Sequence, residues 1–238
     1  MVTNAFIFDM DDTLYLRKDP YIRAYRDMFS SFLLDEEELY RVSRKWSEIT
    51  FRRQKQGEVS LEQMHVDRVV STFREMGREV SVKEALAFQD RYAYHQDHIT
   101  LREGTEKVLS YLNEKGAFLG LLSNGPSDHQ RAKYRALGLA AYIPEDQVLI
   151  SGDLGIHKPD VGIFHAYEDI IEKKGFETDK SRICIIGDSL ETDIAGGRGA
   201  GWMTILLRNP GLEEKAEAQP DLEAADMGEL LTLLQALT

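Results

Sequence analysis

The segment Val2–Thr13, VTNAFIFDMDDT, decides how this chain is read. Val2–Phe8 is short, largely apolar and without clean alternation, which predicts a strand covered on both faces, as in a parallel sheet packed between helices. Directly after it stand Asp9, Asp11 and Asp12. Like charges crowded at the end of a buried strand repel one another. Either water solvates them at the surface, or a cation lies among them and offsets the repulsion.

From about Tyr21 to His98 the chain reads as consecutive helices, broken near LLDEEE, QKQGEVS and MGREVS. Ser60 with Gln63, and Ser81 with Glu84, supply cap chemistry at two of the helix starts. Beyond Glu103 the pattern changes to alternation. A helix ends at Gly116; AFLGLLSNG, QVLIS, RICIIGD and WMTILL read as strands, with SDHQRAKYRAL, PDVGIFHAYEDIIEKKG and the region of TDIAGGRGAG as helices between them. Such alternation implies right-handed crossovers and a parallel sheet. The expected fold is therefore α/β, a doubly wound, Rossmann-like parallel-sheet core formed by residues 1–14 and 101–238, with an inserted all-helical cap over residues 15–100. Ligands of open α/β sheets bind beyond the carboxyl ends of the strands. DMDDT, SNG, SGDLGIHKP and GDSLETD all fall there.

The 238 residues suffice for one core domain carrying a smaller one, and 42% hydrophobic with 29% charged residues is a globular composition. The longest apolar runs fall short of a bilayer span, and the short N-terminal one lacks a basic flank, so no membrane association and a cytoplasmic location are expected. The single cysteine, Cys184, lies in an apolar strand and is expected to be buried. A formal charge of −12 argues against a nucleic-acid polymer as partner. An anionic substrate then needs local lysine, arginine or metal to reverse the field.

The four strand-end segments, in this order, resemble the haloacid dehalogenase superfamily of phosphatases, whose pattern is DxDxT, a Ser or Thr, a Lys, and an acidic GD motif. The resemblance runs from Val2 to about Arg208 and implies an aspartyl-phosphate enzyme that uses Mg2+. Beside it stands the chemistry of the residues themselves. Asp9 ends its strand, and a carboxylate is an adequate nucleophile toward polarised phosphorus. Asp11, two residues on, is expected on the same side, to protonate the leaving alkoxide and then deprotonate the attacking water. Ser123 and Asn124 offer phosphate contacts, although SNG alone would pass for an ordinary strand-to-helix turn. Lys158, ahead of a first-turn Pro159, is placed to pair with Asp9 and the phosphate. Asp9 and Asp188 by their carboxylates, and Asp11 by its backbone carbonyl, form a sensible oxygen set for Mg2+. Asp193 is expected to orient waters or Lys158, and Thr13 to tie the loop through a hydroxyl bond to backbone. Asp12 reads as a turn residue, His157 as a solvated loop residue, and the AGGRGAG run as close helix packing ended by a Gly201 cap.

In the cap, Trp46 and Phe51 are expected to pack the helices together, while Arg52 or Arg53 faces the cleft and Arg17 or Lys18 sits where the chain joins the cap. The cap type and the stretch from Arg53 to Ser60 are similar to superfamily members that hydrolyse nucleoside monophosphates and other small phosphomonoesters, and such a block can move as a lid. The expected function is thus a magnesium-dependent phosphatase of small phosphomonoesters, acting as a monomer or homodimer. A sugar-phosphate phosphomutase would use the same residues. A receiver-like phospho-acceptor module is disfavoured by the helical insertion, and a dehalogenase by the acid at position 11.

Overall fold

The computed structural model describes residues 4–209 and 217–238. Two compact units emerge. One comprises residues 1–16 and 100–238, the other residues 17–99.

The first unit is built on a six-stranded parallel sheet: β1 (Ala5–Phe8), β2 (Phe118–Ser123), β3 (Val148–Ile150), β4 (Ile183–Gly187), β5 (Met203–Leu207) and β6 (Leu222–Ala224), in the order β3-β2-β1-β4-β5-β6. All four residues of β1, AFIF, are buried, as an uninterrupted apolar strand between two helical layers must be. The expected start of that strand, at Val2, lies outside the described residues. Because β1 pairs with β2 on one side and β4 on the other, the strand order reverses around it, and the crevice at its carboxyl end is the topological switch point. Leu121 of β2 and Ile186 of β4 both register with Phe8, so the residues after these three strands emerge side by side.

Helices occupy the connections. The second unit carries α1 (Lys18–Phe29), α2 (Glu36–Lys55), α3 (Leu61–Glu75) and α4 (Val82–Gln96). The sheet unit carries α5 (Thr105–Glu114), α6 (Ser127–Ala136), the single turn α7 (Ser151–Leu154), α8 (Val161–Lys173), α9 (Ala195–Ala200) and α10 (Met227–Leu237). A π-helical turn, Leu190–Ile194, precedes α9. The sheet core packs Ile7, Phe118, Ile163, Phe164, Tyr167, Ile185 and Trp202. Gly120 of β2 is obligatory there, because a Cβ would stand 1.8 Å from the Tyr167 hydroxyl oxygen. The AGGRGAG glycines pack closely as expected: a Cβ on Gly196 or Gly197 would lie 2.4 Å from Phe164 or Ile185, and Gly201, at φ +83°, ends α9. Cys184 is fully buried, and burial raises its thiol well above the ordinary range.

The helical unit is held by Tyr21, Tyr25, Phe29, Leu39, Val69, Phe73 and Phe88. Ser81 and Glu84 close a reciprocal capping box, whereas Ser60 only accepts from the Gln63 amide. Trp46 joins α2 to α3 through its indole N–H, 2.7 Å from Glu75. Phe51 does not pack the helices: it is 50% exposed. Among the described residues, no helix is long and apolar enough to cross a membrane.

Candidate active site

Four strand ends of the sheet unit converge on Asp9. The ammonium of Lys158, only 3% exposed, donates to Asp9 Oδ1 at 2.7 Å, Asp193 Oδ1 at 2.6 Å and the Leu122 carbonyl at 2.7 Å. All three of its protons are engaged. The placement differs from the sequence expectation in one respect: Pro159 is not in the first turn of α8, which begins at Val161 with Asp160 as its cap. The loop carrying Lys158 is held instead by Asn124, whose side chain accepts from the Lys158 amide at 2.9 Å and donates to the Lys158 carbonyl at 3.0 Å. Both ends of the Asn124 amide group are thus spent on positioning the lysine rather than presented to a ligand.

Asp193 comes close because residue 187 is glycine. A Cβ on Gly187 would lie 2.3 Å from the Asp193 carboxyl. The π-helical turn then lets Asp193 accept from the Ser189 amide at 3.1 Å while holding Lys158. Oxygens of Asp9, Asp188 and Asp193 lie within 4.8 Å of one another. Thr13 does not tie the loop through backbone. Its hydroxyl is 3.3 Å from Asp9 Oδ2 and 3.5 Å from Asp188 Oδ1, bridging the two acids. Asn209, without a signal in any local motif, donates to the Asp12 carbonyl at 2.8 Å and to Asp188 Oδ2 at 3.3 Å. Asp12 itself adopts φ +61° in a buried turn, the turn role its sequence suggests.

Asp11 turns to a different set of partners. Tyr15 donates to Oδ1 at 2.5 Å, Lys133 to the same oxygen at 2.6 Å, and Gln130 to Oδ2 at 2.7 Å. Gln130 also reaches Ser123 Oγ at 2.7 Å and the Asn124 carbonyl at 2.8 Å, linking Asp11 to the end of β2. Gln130 and Lys133 are one turn apart on α6 and share a face. That spacing was visible in SDHQRAKYRAL; which strand end the face would meet was not. His157, read as a solvated loop residue, is exposed, and its Nδ1 lies 2.7 Å from Ser151 Oγ.

The electrostatics divide the two acids. Burial pushes the Asp9 carboxyl up to about 7; Lys158 pulls it down, while Asp193 and Asp11 add repulsion. Burial also works to raise Asp11, yet the Lys133 charge and the hydrogen bonds from Lys133, Tyr15 and Gln130 hold it at about 2. Burial alone would depress Lys158, but Asp193 and Asp9 raise it beyond the ordinary lysine range. One ammonium therefore compensates a cluster of three acids incompletely, and the surplus negative charge with an all-oxygen donor set fits a hard divalent cation.

A buried carboxylate gripped by lysine at the switch point of a parallel sheet, beside acids able to share a cation, marks the site of a Rossmann-like α/β hydrolase. The chain belongs to the haloacid dehalogenase-like hydrolases: the model of that family matches residues 3–201. It is 31% identical over 248 residues to the pyrimidine 5'-nucleotidase PynA of Streptococcus pneumoniae, across 98% of this chain and 96% of that protein. Over 132 residues it is 34% identical to phosphoserine phosphatase of Thermus thermophilus, covering 56% of this chain but only half of that protein's length. The HAD-hydrolase YfnB of Bacillus subtilis, solved bound to magnesium, shares the fold with a TM-score of 0.67 at 22% identity, over 98% of this chain and 99% of that one.

Proposed function

We propose that this hydrolase is a magnesium-dependent phosphatase of small phosphomonoesters, with Asp9 as nucleophile and nucleoside monophosphates among its substrates. The observation that carries the reading is the buried Asp9–Lys158–Asp193 arrangement with Asp188 alongside. The likeness to PynA over nearly the whole of both chains supports the nucleotide as substrate.

In the first step an Asp9 carboxylate oxygen bonds to phosphorus as the bond to the leaving oxygen breaks, and the leaving oxygen takes a proton. In the second, water attacks the aspartyl-phosphate, gives up a proton and releases phosphate with Asp9 restored. Lys158 offsets the repulsion between Asp9 and an incoming phosphate, and Ser123, whose Oγ accepts from Gln130, keeps its own proton for a phosphoryl oxygen. Asp11, ionised in the grip of Lys133, is in the state that accepts the water's proton. To donate in the first step it must first loosen that grip and acquire a proton. Asp9 and Asp188, with the Asp11 carbonyl, are the groups that would hold Mg2+, which when bound supplies positive charge that favours ionised Asp9 and neutralises phosphoryl oxygens.

The test combines a phosphomonoester panel, metal removal and Asp9→Asn. Turnover that stops on dialysis against a chelator, returns with magnesium and is absent in Asp9→Asn agrees with the proposal. Full turnover without metal, or substantial turnover by Asp9→Asn, overturns it. Rapid-quench trapping of a phospho-enzyme separates attack by Asp9 from direct attack by water.

A further inference from the structure

Within the helical unit, α1, α2, α3 and α4 enclose a recess of about 120 Å³. Three arginines, Arg17, Arg44 and Arg68, and three tyrosines, Tyr21, Tyr40 and Tyr92, line it, and no Asp or Glu does. That composition runs against its surroundings. The chain carries a formal charge of −12, and other arginines of this unit have carboxylate partners: Arg26 with Glu36, Arg41 with Glu38, Arg53 with Glu58 and Asp67, Arg91 with Asp27.

Arg68 and Arg44 are treated differently. Among the described residues no carboxylate pairs with either. Arg68 donates to the Gln89 side chain and lies 5.8 Å from the Tyr92 ring, and burial holds its guanidinium below the usual range. A half-buried guanidinium without a counter-charge costs free energy that an acid at a neighbouring position would remove.

The second observation is Tyr21. It is 7% exposed, its side chain lines the recess, and its hydroxyl oxygen makes no hydrogen bond. The nearby hydroxyls of Ser43 and Thr72 spend their protons on the Tyr40 and Arg68 carbonyls, at 2.7 Å and 2.6 Å. Those two hydroxyl oxygens keep lone pairs and stand near the phenol, but neither is in hydrogen-bond geometry with it, so the Tyr21 proton is available to a stronger acceptor entering the recess. Guanidinium forks and a phenolic donor, with no acceptor of matching charge, are the complement of a planar or tetrahedral oxyanion. The volume admits several waters or one such group.

We propose that this recess is a binding site for a small oxyanion, a carboxylate or phosphate group, held by Arg44, Arg68 and the Tyr21 hydroxyl. The anion is either a second charged group on the substrate or a free anion that binds the helical unit by itself. The first alternative rests on the phosphatase reading above; the binding itself does not.

Two arms distinguish these. In the first, arginine side-chain N–H resonances of the labelled, metal-free protein are followed during titration with inorganic phosphate, with Arg44→Lys and Arg68→Lys assigning the signals. Saturable shifts at Arg44 and Arg68 are expected, weakened about tenfold in Tyr21→Phe, as expected for loss of one hydrogen bond to a charged group. Tyr21→Phe removes a hydroxyl that bonds nothing, so its melting temperature should equal or exceed that of the wild type, which separates lost binding from lost folding. In the second arm, kcat/KM is compared between phosphorylated carboxylates and phosphomonoesters with uncharged leaving groups. A drop of about tenfold or more in that ratio for Arg44→Gln and Tyr21→Phe assigns the recess to the substrate's second anion. Phosphate binding with an unchanged ratio assigns it to a free anion. No shift at either arginine together with an unchanged ratio overturns the proposal. Phosphate binding at the recess in a protein that hydrolyses no phosphomonoester would overturn the proposed activity and leave this site standing.

Discussion

Lys158→Met should convert the centre of the site into a pH-dependent weakness of the fold. The ammonium it removes is 3% exposed and touches Asp9 at 2.7 Å and Asp193 at 2.6 Å, so two buried carboxylates lose their shared counter-charge. Removing one partner of a buried pair costs about 3–5 kcal/mol. The sign with pH follows from Asp9, whose folded-state pKa of about 7 lies above its ordinary 3.8. A carboxyl raised in this way contributes stability that is fully present below the unfolded pKa and is lost as pH rises through the folded one. Lys158 lowers Asp9, so its removal moves that loss to higher pH; each unit of upward shift widens the gap to wild type by about 1.4 kcal/mol at high pH. Denaturant unfolding in metal-free buffer should therefore give a small gap near about pH 5 and a wider one near about pH 9, because the gap opens only above the wild-type Asp9 value of about 7. Adding Asp193→Asn to the variant should recover much of the loss at high pH, and magnesium should recover part of it. A gap that is the same at both pH values, or one that Asp193→Asn leaves untouched, would refute the charge argument.

Lys133→Met should lower kcat more than it raises KM, because it frees Asp11 from one of three groups that hold it; steady-state kinetics with an unchanged kcat would remove Lys133 from any positioning role. Gly120→Ala should cost about 3 kcal/mol or more in urea unfolding, since its Cβ would stand 1.8 Å from the Tyr167 hydroxyl, and Tyr167→Phe should restore part of that loss. Arg52→Ala should leave stability within about 0.5 kcal/mol, because Arg52 is exposed; a larger loss in urea unfolding would assign it a packing role.

What the chain declares locally is considerable. Uninterrupted apolar strands of four to six residues alternating with amphipathic helices announced a parallel sheet, and Asp9, Ser123 and Asp188 could be assigned to strand ends, because strand and helix periodicity is a property of neighbouring residues. The run of helices between about Tyr21 and His98 was equally legible, as its breaks at Ser60 and Ser81 carry their own cap chemistry, while the Asp35 cap of α2 was not read. The short β6 and α10 were not read, the strand being only three residues long and recognisable chiefly by pairing with β5.

The tertiary structure alone decided which groups meet. Lys133 and Gln130 find Asp11 across more than a hundred residues, and Asn209 finds Asp188 from beyond β5. Phe51 looked from its helical spacing like a core residue; the packing of α2 leaves it exposed, and Arg53 on the same helix pairs with Glu58 and Asp67. The reason is physical. Periodicity states that a helix has a face, but the crossovers of the sheet and the packing of the bundle determine what that face touches, and a hydrogen bond or a counter-charge exists only at that distance.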